Sequence, residues 1–316
     1  MTVISGLVGG LALFLYGIAV MSDGLKQMAG NRLEQFLLKA TKSRGVAFSL
    51  GLGITSLIQS SSAVTVMLIG IVDSGILQYA RTFFVIMGSN VGTTVTAWLI
   101  SLNGLSGVLS FLKPTVSSPI AAIFGVLFFM SRSEKRRNVG SVIIGFAILI
   151  IGMDMMGDAM GFIKDSEAFG SILSLFSNPL ASVVFAMLFT AIIQSSSATV
   201  GIIQALALSG SITLATAVSL IIGANIGTCI TGIIASFGRS LAAKRVSFLQ
   251  TNFNLFGGAL FLIAVFLIKA FFPDFSNVTV GVAEVAVIHT LFNLITAVLI
   301  LPFYRQIIRI TEKSVK

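Results

Sequence analysis

The chain is 316 residues long, 56% apolar and only 10% charged. Soluble globular domains carry about 25% charged residues, so the composition excludes that class and fits a polytopic membrane protein. The net charge of +9 does not point to nucleic acid, because the basic residues sit in short gaps between apolar runs, at 26–44, 132–137, 239–245 and 305–316. Cytoplasmic loops facing anionic lipid have this distribution, and the single cysteine, Cys229, excludes a disulfide framework or a cysteine-based metal site.

In chain order, the first apolar run, Val3 to Met21, lacks a basic leader and a small-residue cleavage site, and reads as a retained transmembrane helix. The basic loop 25–44 follows, then three apolar stretches: Val46 to Val72, Thr82 to Ile100 and Leu105 to Met130. After the basic gap 132–137 come Val139 to Met156 and an acidic loop, 158–178. The remaining stretches are Leu180 to Leu208, Leu214 to Phe237, Val246 to Ala270 and Val280 to Phe303, ahead of a basic tail.

The chain repeats itself at an offset of 135 residues. Gln59-Ser60-Ser61-Ser62 returns as Gln194-Ser195-Ser196-Ser197, and Asn90-Val91-Gly92-Thr93 as Asn225-Ile226-Gly227-Thr228. Gly17, Met21, Asp23, Thr55 and Thr96 pair with Gly152, Met156, Asp158, Thr190 and Thr231. A shared offset over so many anchors marks an internal duplication. We read 1–131 as transmembrane repeat 1, 132–270 as repeat 2, 280–304 as an additional transmembrane helix, and 305–316 as a basic cytoplasmic tail.

A helix needs about 20 apolar residues to cross the hydrocarbon core, and basic loops face the cytoplasm. Loops 25–44 and 132–137 are both basic, so the chain crosses an even number of times between them. Three apolar stretches satisfy this if the one carrying Gln-Ser-Ser-Ser turns back as a re-entrant hairpin. The same reasoning applied to repeat 2 puts every basic loop inside. The expected fold is an all-α polytopic membrane protein of two inverted-topology repeats, each with a re-entrant helical hairpin, plus one extra C-terminal helix. That makes seven crossings in the plasma membrane, with the N-terminus outside and the C-terminus cytoplasmic. Such an architecture is typical of secondary transporters.

Broken helix at membrane depth is tolerated only where it is buried in protein or lines a wet cavity. Two hairpin tips meeting near the midplane would bring Gln59 to Ser62 and Gln194 to Ser197 into one site. Hydroxyls, amides and half-helix N-termini suit an oxyanion, while hydroxyl and freed carbonyl oxygens suit Na⁺. Asn90, Thr93, Asn225 and Thr228 read as support, in helices loosened by glycine. His289, the only histidine, reads as a structural hydrogen-bonding group between the extra helix and the core. Asp23 and Asp158 read as capping or surface groups, Trp98 as an interfacial anchor and Cys229 as a packing residue. A buried-serine hydrolase does not fit, because two equivalent serine triplets share one histidine and no Gly-x-Ser-x-Gly elbow is present.

Two Gln-Ser-Ser-Ser motifs, each followed by a Gly-x-Asn-x-Gly-Thr segment, together with the closing "HTLFNLITAVLILPF" at 289–303, resemble the type II sodium/phosphate cotransporter family. The resemblance implies Na⁺-coupled transport of inorganic phosphate by alternating access, with both cargoes held at the two Gln-Ser-Ser-Ser regions. It implies no cofactor beyond Na⁺ as coupling ion, and no enzymatic activity. Many bacterial members continue into a PhoU-type helical domain; this sequence ends at Lys316 without one and resembles a minimal bacterial form. The alternatives are a Na⁺-coupled carrier of another oxyanion, sulfate or a dicarboxylate, and an anion channel. Sulfate and dicarboxylate carriers have Ser-Asn-Thr signatures, whereas here Val91 follows Ser89-Asn90. Membrane lipids are the expected surroundings, and small-residue faces would permit a homodimer.

Overall fold

The computed structural model describes residues 3–30, 37, 43–102, 114–163, 166, 171, 174–210 and 212–315. Among these, every regular element is helical apart from one isolated bridge between Thr213 and Thr279. The order is α1 (Val3–Ala29), α2 (Arg44–Ile58), α3 (Ser61–Asp73), α4 (Tyr79–Gly92), α5 (Thr94–Ser101), α6 (Pro114–Phe129) and α7 (Glu134–Ile163). Then follow α8 (Pro179–Ile193), α9 (Ser196–Leu208), α10 (Leu214–Gly227), α11 (Cys229–Ala235), α12 (Leu241–Phe271), α13 (Val282–Ile300) and α14 (Tyr304–Ser314).

Six helical stretches among the described residues are long and apolar enough to cross a membrane: Val3–Ala29, Tyr79–Ser101, Glu134–Phe162, Leu214–Ala235, Leu241–Phe271 and Val282–Ser314. The seventh expected crossing, Leu105 to Met130, lies partly outside the described residues. Its described part, α6, is 16 residues long.

The duplication is visible in the helix boundaries. α2 and α8, α3 and α9, and α4 and α10 each begin 135 residues apart and have equal lengths. Their packing repeats too. A Cβ on Gly88 would lie 1.9 Å from the Phe48 carbonyl oxygen, and one on Gly92 2.5 Å from that of Leu52. At Gly223 and Gly227 the same atom would lie 2.3 Å from the oxygens of Val183 and Met187. Residue numbers rise together across both contacts, so α2 runs parallel to α4, and α8 parallel to α10. Backbones this close require glycine, the small-residue rule of helix pairs in membranes. Gly92 and Gly227, read from sequence as loosening a helix, stand where one helix ends and also join it closely to its neighbour.

The repeat-related helices α1 and α7 pack antiparallel. Gly10 meets Gly152, Gly17 meets Gly145 and Leu149, and Gly24 meets Asn138, one set of numbers rising as the other falls. On α1 these glycines recur every seven residues, which keeps them on one seam.

Polar contacts sort the chain ends into two groups. Arg44 Nη2, at the start of α2, donates to Tyr304 Oη at 2.7 Å. Asp73, at the end of α3, accepts from Ser240 N at 2.9 Å and from Arg239 Nη1 at 3.2 Å. Tyr79 bonds Glu312, and Arg245 Nε donates to Val315 O at 3.3 Å. Both ends of the α2–α3 pair thus share one end of the molecule with the basic segments. The segment before α8 and the segment after α9 meet the opposite end of α12 and the residues that follow it. There Lys269 Nζ donates to Ser177 O at 2.5 Å, and Leu214 N donates to Val278 O at 2.8 Å. The expected basic tail is a helix, α14, which buries Ile307 and Thr311; Asn252 Nδ2 donates to Thr311 Oγ1 at 2.8 Å.

Candidate functional site

Each Gln-Ser-Ser-Ser motif joins two helices through the same four-residue device. Gln59 and Gln194 take left-handed backbone conformations, φ 57° and 60°, and are the only non-glycine residues with positive φ among those described. Each N–H closes its helix onto a threonine carbonyl, Gln59 on Thr55 at 2.7 Å and Gln194 on Thr190 at 2.6 Å. The next residue starts a new helix: Ser60 Oγ accepts from Ala63 N and Ser195 Oγ from Ala198 N, both at 3.2 Å. Serine is a favoured N-cap because its oxygen satisfies a first-turn donor. Glutamine in the left-handed region costs about 1–2 kcal/mol that glycine would not. Retaining it at both copies marks a strained position of the kind found at functional sites.

All eight residues of the two motifs line one cavity of about 340 Å³, which is roughly ten water volumes. Its third wall is α1, through Leu15, Ile18, Ala19, Ser22, Asp23 and Lys26. This stripe covers eleven residues of rise, about 16 Å. Ser22 Oγ donates to the Ile58 carbonyl at 2.7 Å, fixing α1 to the end of α2. At the solvent-exposed rim Lys26 Nζ lies 3.3 Å from Asp23 Oδ1. The N-termini of α3 and α9 border the cavity through their capping serines, bringing unpaired first-turn N–H groups and positive dipole ends to it. Below the motifs Phe14 is fully buried, and a Cβ on Gly201 would lie 2.0 Å from its Cζ.

The four residues read as support are buried and are not part of this cavity's lining. Thr93 and Thr228 return their hydroxyls to the carbonyls of Ser89 and Ala224 one turn back, at 3.1 and 3.0 Å. Asn90 Nδ2 lies 3.5 Å from Asn254 Oδ1, and Asn225 Nδ2 donates to Ile221 O at 2.8 Å. Asp23 is exposed and pairs with Lys26, in line with its reading as a surface group, and it is also part of the cavity rim. His289 is buried as expected, but neither ring nitrogen has a hydrogen-bond partner among the described residues, so the structural bond expected of it is not made. Trp98 Nε1 donates to Thr290 Oγ1 at 2.9 Å, tying α5 to α13.

Sequence reasoning missed Ser22, Lys26 and the part played by Thr96. The signal was present for the first two: positions 15, 18, 19, 22, 23 and 26 follow helical spacing with their polar members at one end. Thr96 Oγ1 donates to Gln59 Oε1 at 2.6 Å, and Gln59 Nε2 donates to Ser56 O.

A family model described as Na+/Pi-cotransporter matches residues 13–158 and 163–296, both halves of the duplication. The chain belongs to the Na⁺/Pi-cotransporter family. It is 31% identical over 303 residues to the uncharacterized protein YqeW of Bacillus subtilis (strain 168), covering 93% of this chain and 94% of that one. It is 26% identical over 313 residues to YjbB of Escherichia coli (strain K12), a candidate inorganic phosphate export protein, covering 98% of this chain and 55% of that one. A shorter match, 36% over 99 residues, joins it to the sodium-dependent phosphate transport protein 2A of Rattus norvegicus, across 30% of this chain and 15% of that one. No solved structure matches. The family is one of phosphate transporters, and this member is a multi-pass membrane protein, not an enzyme.

Proposed function

We propose that the chain carries inorganic phosphate across the plasma membrane by alternating access, coupled to Na⁺. The cavity shared by the two Gln-Ser-Ser-Ser motifs is the observation that carries this reading. Its lining fits both cargoes. Serine hydroxyls, the Gln194 amide and the first-turn N–H groups of α3 and α9 offer donors to phosphate oxygens. Hydroxyl oxygens and the carbonyls freed at each helix break offer the hard oxygen ligands that an alkali cation takes. Na⁺ beside phosphate offsets its charge, so no buried arginine is required. Lys26 at the rim draws anions in.

The inverted, hairpin-bearing architecture is part of this proposal, with 1–131 and 132–270 as its two repeats. Three observations support it. The parallel runs of α2 with α4 and of α8 with α10 require α3 and α9 to bring the chain back between them. The two ends of each pair fall at one end of the molecule, and the two pairs at opposite ends. The counterpart helices α1 and α7 run antiparallel. Basic residues gather at the end shared by Arg44, Arg239 and Arg245, which makes that end cytoplasmic by the positive-inside rule and leaves the N-terminus outside. Beyond the lining, a relative that is sodium-dependent by name supports Na⁺ coupling, and another relative is a candidate exporter.

Equilibrium binding of radiolabelled phosphate to purified protein tests the site. Binding should need Na⁺ rather than K⁺, resist excess sulfate, and fall in Gln194→Ala and Ser196→Ala protein that remains folded. Parental binding in both variants would remove those side chains from the site, and equal competition by sulfate would favour a general oxyanion carrier.

A further inference from the structure

Thr96 and Thr231 are counterparts at the 135-residue offset, as are Gln59 and Gln194, and Ser62 and Ser197. In one half of the molecule these residues form a linked set. The Thr96 hydroxyl donates to Gln59 Oε1, and Ser197 Oγ from the other repeat lies 3.4 Å from the same hydroxyl. Gln59 is consequently buried, and its amide donates to Ser56 O. The mirror set would be Gln194, Thr231 and Ser62, and none of its contacts is made. Gln194 is exposed, and its side chain and the Ser62 hydroxyl have no hydrogen-bond partner among the described residues. Thr231 Oγ1 is shielded from solvent and unpartnered. The scaffold does not explain this difference, because α11 touches α8 just as α5 touches α2. The parts for two equivalent latches are therefore present, and one is closed.

We propose that Thr96 and Thr231 are positioning residues that hold the two site glutamines in alternation. In the state seen here Thr96 holds Gln59 back and Gln194 is free to reach cargo. In the opposite-facing state Thr231 holds Gln194, and Thr96 releases Gln59. A buried hydroxyl without a partner is unfavourable. Exchanging one closed latch for the other keeps the number of unmade bonds constant, which leaves the two states close in energy, as a carrier that must visit both requires. The inference rests on the alternating-access reading and adds the residues that set its balance.

The test uses the full chain in proteoliposomes, with Ala19→Cys in the cavity wall as a reporter for a membrane-impermeant maleimide applied from the side to which the Lys26 rim opens; the native Cys229 is buried. Thr96→Val, Thr231→Val and Thr231→Ser are compared for labelling rate and for phosphate exchange. Removing one hydrogen bond from one state shifts the balance about two- to tenfold. Thr96→Val should lower the labelling rate by up to that factor. Thr231→Val should raise it or leave it at the parental ceiling, and should slow exchange two- to tenfold; Thr231→Ser should restore exchange. A purely structural role predicts no effect of Thr231→Val, because that hydroxyl has no partner to lose. Parental exchange in Thr231→Val, or labelling lowered by both valine variants, overturns the proposal. Labelling uses no phosphate, so opposite labelling shifts without any phosphate exchange would keep the latches and remove the cargo assignment instead.

Discussion

Replacing each motif glutamine by glycine separates backbone strain from side-chain contact. At position 194 the φ of 60° costs a non-glycine residue about 1–2 kcal/mol. Glycine removes that cost but adds about 0.5–1 kcal/mol of unfolded-chain entropy. The Gln194 side chain is exposed and unpartnered, so nothing else is lost. Gln194→Gly should be neutral or stabilising by up to about 1.5 kcal/mol. At position 59 the backbone gain is the same, but two hydrogen bonds go, from Thr96 to Gln59 Oε1 and from Gln59 Nε2 to Ser56 O, which together cost about 1–3 kcal/mol. Gln59→Gly should be destabilising by about 1–2 kcal/mol. The same substitution at equivalent positions should thus change stability in opposite directions. Thermal unfolding of both variants in detergent reads the stability, and phosphate uptake reads the function, which both variants should lose. Equal destabilisation by the two, or Gln194→Gly unfolding first, would refute the reasoning from left-handed strain.

Other consequences follow from the packing and charge. Gly88→Ala should prevent recovery of folded protein, because its Cβ would meet the Phe48 carbonyl oxygen at 1.9 Å in a contact between two backbones; expression with size-exclusion chromatography checks it. Lys26→Gln should raise the phosphate Kd roughly threefold at low ionic strength, with the effect shrinking at high salt, as a titration at two salt concentrations would show. The contacts of Asp73 with Ser240, then Arg239, hold its carboxyl below the ordinary value of 3.8. A depressed folded value means that its stabilisation is present above 3.8 and is lost as pH falls through that lower value. Thermal unfolding followed from pH 6 to pH 3 should lose this acid-sensitive component in Asp73→Asn.

Much of the architecture was legible because polar residues in an apolar run are costly and so stand out. The breaks at Gln59 and Gln194 and the 135-residue duplication are examples. That glutamine rather than a serine makes the left-handed turn was not legible, because glutamine is a good helix former and glycine is the usual occupant of such a turn. Gly92 looked like a residue that loosens its helix; only the neighbouring carbonyls reveal it as a contact point as well. The docking of α14 was hidden by its basic residues, and the Asp73–Ser240 contact by 167 residues of separation. The asymmetry of the two glutamines could not be read at all, since both repeats present the same residue types and one conformation differs between them.

The central claim is Na⁺-coupled movement of phosphate through the cavity between the two motifs. Uptake of radiolabelled phosphate into proteoliposomes, under an inward Na⁺ gradient and a matched K⁺ gradient, with excess unlabelled sulfate present, tests it most directly. The account predicts accumulation that needs Na⁺, ignores sulfate and disappears in Gln194→Ala. Folded, correctly inserted protein that accumulates no phosphate under the Na⁺ gradient would contradict it.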